Sequence, residues 1–185
     1  MKKTQTKKIL IGVPPKAHVS LAQDELKALQ ALGWECFSVP YGRNNQSVGF
    51  LNKFFSTLLK AFVLVGRLYK VRPQYLYLNS RFERAGSTRD FISLLTVKLL
   101  YFGKTKIFIK SHGSEAHRMQ HEPFFIRSLV MPFLTRVVDG WFFLSSDEKK
   151  LVSGYNAALA SKIYIVPNII DPQRCVASTE FNRKY

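Results

Sequence analysis

Six short apolar runs rich in β-branched and aromatic residues alternate along this chain with longer segments of helical periodicity, and that alternation leaves few folds open. The runs are Ile9–Val13, Glu35–Val39, Tyr75–Leu78, Lys106–Lys110, Trp141–Leu144 and Lys162–Val166. Strands separated by helical text have room for a crossover and so pair in parallel. The expected fold is therefore α/β: a Rossmann-like open parallel sheet of about six strands flanked by helices. Composition permits it. A chain of 185 residues, 46% hydrophobic with 15 Phe and 8 Tyr, is neither disordered nor fibrous. One domain of this size buries roughly two thirds of the surface its unfolded chain exposes.

Local signals locate two of the helices. Val19, Ala22, Leu26, Leu29 and Leu32 recur at helical spacing, with Gly33 where a C-terminal cap belongs, which predicts a crossover helix packed through those five residues. Ser145 and Glu148 have the spacing of a capping box, which starts a helix running to about Gly154.

In an open parallel sheet, ligands bind beyond the carboxyl ends of the strands, so the segments following each strand hold the candidate site residues. After the fourth run, Lys110-Ser111-His112-Gly113-Ser114-Glu115 places an imidazole and a carboxylate in one loop, with Gly113 allowing a close approach. The same text also reads as an ordinary capped helix start. Arg81, Ser145 and Asn168 follow the third, fifth and sixth runs. The first loop, with Lys16, Ala17 and His18, lacks the glycine-rich dinucleotide fingerprint, which disfavours an NAD site. Lys16 reads either as a phosphate contact or as the exposed lysine of a proline-stiffened turn. His117 and His121 stand four apart, but the histidines match no metal signature, and neither a metal nor a resident cofactor is expected.

The charge points to an anionic partner: 28 Lys and Arg against 12 Asp and Glu leave +16. Residues 50–69 wind into an amphipathic helix in which Lys53, Ser56, Thr57, Lys60 and Arg67 form a narrow polar stripe, while Phe54, Phe55, Leu58, Leu59 and Phe62 fill most of the remainder. Such a helix suits a buried Rossmann position or, with Lys53, Lys60, Arg67, Phe54 and Phe55 as contacts, an anionic membrane surface. No nucleic-acid motif is present, so a specific nucleic-acid partner is not expected, and a non-catalytic membrane- or nucleic-acid-binding module stands as the alternative function. Lys53, Lys60 and Arg67 interrupt the longest apolar stretch, the basic start is followed by too short an apolar run for a signal peptide, and the two cysteines show no framework. These features together imply a cytoplasmic protein, peripheral at the inner face of a membrane.

Read together, His112-Gly113 after the fourth strand, the run Asp139-Gly140-Trp141-Phe142-Phe143-Leu144-Ser145 into a capped helix, and Lys162-Ile163-Tyr164-Ile165-Val166-Pro167-Asn168-Ile169-Ile170-Asp171 resemble the N-terminal, acceptor-side domain of retaining GT-B glycosyltransferases of family 4. The resemblance spans nearly the whole chain. It implies a transferase that moves a sugar from a nucleotide-sugar donor to a glycan or lipid-linked acceptor, in cell-envelope polysaccharide synthesis, with His112 near the transferred sugar. It divides the chain into a basic tail (1–8), the acceptor-side domain (9–171) and the start of an interdomain linker (172–185). Two departures stand out: Lys16-Ala17 replace the paired glycines of the first loop, and Ile169 stands where glycine is usual. The donor-binding domain and its paired glutamates would lie beyond residue 185, so these residues alone are expected to be inactive.

Overall fold

A computed structural model describes residues 6–14, 19–42, 49–114 and 122–169, without the side chains at 50, 112–114 and 155. Six strands form one sheet: β1 (Lys8–Val13), β2 (Glu35–Pro40), β3 (Tyr75–Phe82), β4 (Lys106–Ser114), β5 (Gly140–Phe143) and β6 (Ile163–Ile165). Their spatial order is β2-β1-β3-β4-β5-β6, and every neighbouring pair is parallel. The chain is thus the Rossmann-like α/β fold that its alternating runs require. The order reverses between β1 and β3, which makes the rim beside those two strands the topological switch point.

Among the described residues six helices connect the strands: α1 (Val19–Ala31), α2 (Phe50–Val71), α3 (Arg84–Leu100), α4 (Met131–Val137, entered through a π-helical turn at Ile126–Val130), α5 (Ser146–Tyr155) and α6 (Ala157–Ala160). Alternate strand residues feed two separate cores, as the pleat demands. Leu10, Leu76, Leu78, Ile107, Ile109, Trp141 and Phe143 pack with Leu64, Leu68, Leu94, Val97 and Leu134 of α2, α3 and α4. On the opposite face, Ile9, Ile11 and Tyr77 meet Leu26 and Leu29 of α1. That second face also carries an aromatic row running toward β6. Trp34–Tyr75, Tyr75–Phe108, Phe108–Phe142 and Phe142–Tyr164 have ring centroids 5.2, 6.1, 5.4 and 5.8 Å apart.

The caps follow their sequence signals. At the end of α1, Gly33 adopts φ +80°, its N–H donates to Gln30 O at 2.9 Å, and Trp34 N–H donates to Leu29 O at 3.1 Å, which is a Schellman motif. At the start of α5 the Ser145 hydroxyl accepts the Glu148 N–H at 3.2 Å, while the Glu148 carboxylate accepts from Leu144 N–H at 2.9 Å. Lys162, which opens the last pattern of the resemblance, donates to the carbonyls of Thr135 (2.7 Å) and Val138 (2.8 Å) and so closes the C-terminal end of α4.

Three expectations change. Leu32, read as a core residue of α1, is 74% exposed beside the cap, while Asp24 and Glu25 of the same helix are buried. Strand β3 continues past Leu78 to Phe82, and β4 continues past Lys110 to Ser114, so Arg81, His112 and Gly113 belong to strands rather than to the loops after them. Parallel pairing of Asn79 with Lys110, Ser80 with Ser111 and Phe82 with Ser114 carries the ladder through these polar residues, whose side chains had read as a loop.

Candidate functional site

Two buried polar clusters sit at the carboxyl ends of the central strands, one on each face of the sheet. On the α1 face, Lys110 of β4 is wholly buried and its ammonium is paired to the Glu25 carboxylate of α1. A lysine inside an apolar strand requires such a partner, since an unpaired buried charge is expensive. The same ammonium donates to Pro167 O at 3.3 Å, which ties the segment after β6 to the rim. Tyr77 of β3 borders this pair. Burial, and then the neighbouring Glu25 carboxylate, push its phenol well above the usual range, so it remains a neutral hydroxyl. Asn79 Nδ2 donates to Gly12 O at 3.2 Å and bridges β3 to β1 at the switch point.

Two buried acceptors have no hydrogen-bond partner among the described residues: Glu25 Oε2 of this cluster, and Asn168 Oδ1 on the residue after Pro167. Both are buried, one on α1 and one immediately after Pro167. Unsatisfied buried acceptors are rare in folded proteins and suit a ligand or water that donates. Their chemistry matches hydroxyl donors, such as those of a sugar.

On the other face, Asp90 of α3 gathers three side chains. Tyr41 Oη donates to Asp90 Oδ1 at 2.7 Å, Ser80 Oγ donates to Oδ2 at 2.5 Å, and Arg89 donates to Oδ1 from Nε (3.0 Å) and Nη2 (2.8 Å). Arg89 Nη2 also donates to Ser80 Oγ at 2.6 Å, and its guanidinium lies 4.4 Å from the Tyr41 ring centroid. Burial opposes the charge on Arg89, but Asp90 and Tyr41 outweigh it and hold the guanidinium protonated above its ordinary range. Burial first, and then the Asp90 charge, raise the Tyr41 phenol. The helix holding Asp90 must come close to β3: a Cβ at Gly86 would lie 2.2 Å from Arg81 O. This network braces the rim beside the switch point, and every polar atom of Asp90 is used.

The residues singled out from sequence fall in several places. Lys16, Ala17, His18 and Glu115 lie outside the described residues, as do His117 and His121. His112 and Gly113 are on β4 two and three residues past Lys110, with side chains outside the description. Arg81 is exposed on β3. Ser145 is the N-cap of α5, and Asn168 follows Pro167, whose carbonyl meets the Lys110 ammonium. Lys53, Phe54, Phe55, Lys60 and Arg67 are all on α2, and the Lys60 ammonium is bonded to Gly42 O. Among the described residues, no group of three or more His, Cys, Asp or Glu could hold a metal, and no helix is long and apolar enough to cross a membrane.

Sequence reading missed Glu25, Tyr77 and Lys110 on one face and Tyr41, Ser80, Arg89 and Asp90 on the other. One signal for the first cluster was available. Lys110 closes the run Ile107-Phe108-Ile109, at a position whose even spacing from Phe108 puts it on a covered face.

No protein-family model matches this sequence, and no curated protein matches it. Among solved structures it is similar to the crystal structure of UDP-GlcNAc 2-epimerase from Neisseria meningitidis bound to UDP-GlcNAc, with a TM-score of 0.53 and 10% sequence identity. The similarity covers 87% of this chain and 46% of that one, so the chain spans about half the length of the structure it matches. At that identity the likeness speaks to fold alone, and the fold it supports is a GT-B-like Rossmann domain.

Proposed function

We propose that this chain is the acceptor-side half of a GT-B glycosyltransferase that moves a sugar from a nucleotide-sugar donor to a glycan or lipid-linked acceptor, in cell-envelope polysaccharide synthesis. The observation that carries the reading is a pair of buried acceptors at the rim of a GT-B-like sheet: Glu25 Oε2, on the carboxylate that pairs with Lys110 and borders Tyr77, and Asn168 Oδ1, on the residue after Pro167, neither with a hydrogen-bond partner among the described side chains and backbone. They suit the hydroxyls of a sugar. His112, on the strand that carries Lys110, is the acid–base group of this reading; Lys16, Ala17, His18, Arg81, Gly113, Glu115 and Ser145 complete the cleft. Oriented binding by this half, with donor phosphate stabilised by a second domain outside these 185 residues, is the division of labour that the reading requires.

The test uses the complete protein encoded by the gene, given radiolabelled nucleotide sugars and a lipid and glycan extract as acceptor. Label should appear in a glycan or lipid product, and His112→Ala should lower turnover at least about 100-fold while leaving the unfolding midpoint in place. A second reading follows from the UDP-GlcNAc-bound neighbour: epimerisation of a nucleotide sugar. Label that stays in the nucleotide sugar but changes stereochemistry without acceptor would establish that reading and refute transfer.

A further inference from the structure

We propose that the outward face of α2, together with the exposed end of α3, is a docking surface for an anionic lipid bilayer. Leu51, Phe55, Leu59 and Phe62 are spaced by four, four and three residues, and so share one stripe along the helix. They are 68%, 62%, 66% and 50% exposed. The opposite stripe, with Ala61, Leu64 and Leu68, is buried against the sheet and α3. The polar stripe that would ordinarily face water is partly turned inward instead. Thr57 is buried with its hydroxyl on Lys53 O, and the Lys60 ammonium is bonded to Gly42 O. The first half of the helix has therefore turned Thr57 and Lys60 to partners within the protein and left large apolar side chains in water along about 17 Å of its length.

Charge decides what covers this face. From residue 50 to residue 100 the chain has nine Lys and Arg but only two acids, Glu83 and Asp90. Asp90 is buried in its network with Arg89, Tyr41 and Ser80, so it adds little to the surface field. Beyond the apolar stripe, Arg67, Lys70 and Arg72 are exposed on the last turn and cap of α2, and Lys98 is exposed beside Leu99, Leu100 and Phe102 at the end of α3. Tyr69 Oη donates to Leu100 O at 2.6 Å and holds those two ends together. Exposed apolar groups next to a cationic cluster, with almost no opposing carboxylate, match an interface of acyl chains below anionic headgroups. A second protein with a basic surface would be repelled, including another copy of this chain with its net charge of +16.

The placement also has a geometric consequence. In each βα unit the helix starts where its strand ends, so the N-terminal turn of α2, with Leu51 and Phe55, stands at the same edge of the sheet as the rim clusters. A bilayer on this face would bring lipid-borne molecules to that edge. The docking surface does not depend on the sugar-transfer reading, because vesicle binding is measured without any turnover.

The test is co-sedimentation of the chain with vesicles of phosphatidylcholine and phosphatidylglycerol, against vesicles of phosphatidylcholine alone. Strong partition to the anionic vesicles is expected, falling several-fold as salt rises from about 0.05 to about 0.5 M. Phe55→Ser with Leu59→Ser should lower partition about tenfold or more, since both side chains are exposed and their loss leaves the core intact. Leu151→Ser, an exposed residue of α5, the helix between β5 and β6 at the other end of the sheet from β2, should change nothing, and circular dichroism should be the same for all three proteins. Vesicle indifference at low salt overturns the proposal. So does retention of binding by the Phe55/Leu59 double variant, or competition by a single-stranded oligonucleotide that the double variant matches, because either shows charge alone at work. Concentration-dependent dimers in sedimentation, without vesicle binding, would assign the face to a second copy and overturn it as well.

Discussion

Replacing Lys110 by Met tests the centre of the rim directly. The ammonium is wholly buried and the Glu25 side chain is almost so, which leaves solvent little part in screening the pair. Methionine keeps most of the lysine stem's volume, so the cavity term is small and the loss is electrostatic. What remains is a buried carboxylate: Oε1 loses its donor, and Oε2 had none among the described residues. Removing one member of a buried pair costs about 3–5 kcal/mol, against a total stability of about 5–15 kcal/mol for a domain. With a urea slope of about 2 kcal/mol per M, the unfolding midpoint should fall by roughly 2 M. Combining Lys110→Met with Glu25→Leu removes both charges, and the double variant should recover to within about 1 kcal/mol of the parent or exceed it. The assay is urea unfolding followed by circular dichroism on all four proteins of the cycle, with the slope compared alongside the midpoint. A Lys110→Met midpoint unchanged within error, or a double variant equal to the sum of its singles, would refute the claim that these charges are coupled in a dry site.

Two further expectations concern the braces around the rim, and a third the entry to α5. Tyr41 and Tyr77 are held neutral by burial and by Asp90 and Glu25, so their folded-state ionisation lies above that of the unfolded chain. Their contribution to stability is complete below the unfolded phenol value of about 10 and is lost as pH rises toward the folded values, so chemical stability should decline from about pH 10 upward; an alkaline series in which Tyr77→Phe shows the same decline as the parent would dismiss the Tyr77 share. Gly86→Ala sets a Cβ against Arg81 O at 2.2 Å and should cost about 1–3 kcal/mol in urea unfolding, whereas the same change at exposed Gly66 should be neutral or slightly stabilising. Ser145→Ala removes the hydroxyl that accepts Glu148 N–H and should cost about 1 kcal/mol, read as a lower thermal midpoint.

The elements that could be read from the chain are those whose causes are local. Gly33 ends α1 because it alone takes φ +80° without strain, and Ser145 starts α5 because its hydroxyl reaches a free helix N–H. Where polar residues lie inside a strand, local reading stops early. Asn79, Ser80 and Ser111 look like loop text, but the neighbouring strand supplies their backbone partners, and that supply is invisible in either segment alone. The rotation of α1 is a similar case. Apolar spacing favours burial of Leu32, while the buried Lys110 ammonium draws Glu25 inward and fixes the helix with Leu32 in solvent.

From the sequence by itself came the class of fold, six parallel strands with helical crossovers, because periodicity and turn chemistry act over a few residues and do not need a partner far along the chain. The amphipathic character of α2 and the large positive charge were equally plain. Tertiary structure decided the rest: that β1 and β3 lie side by side at the switch point, that Glu25 meets Lys110 across 85 residues and Tyr41 meets Asp90 across 49, and that α2 turns Leu51, Phe55, Leu59 and Phe62 outward while Leu64 and Leu68 are buried. Each of these is a pairing between distant segments, chosen by which buried charges and hydrogen-bonding groups find complements when the layers close, and no local window of sequence contains both members.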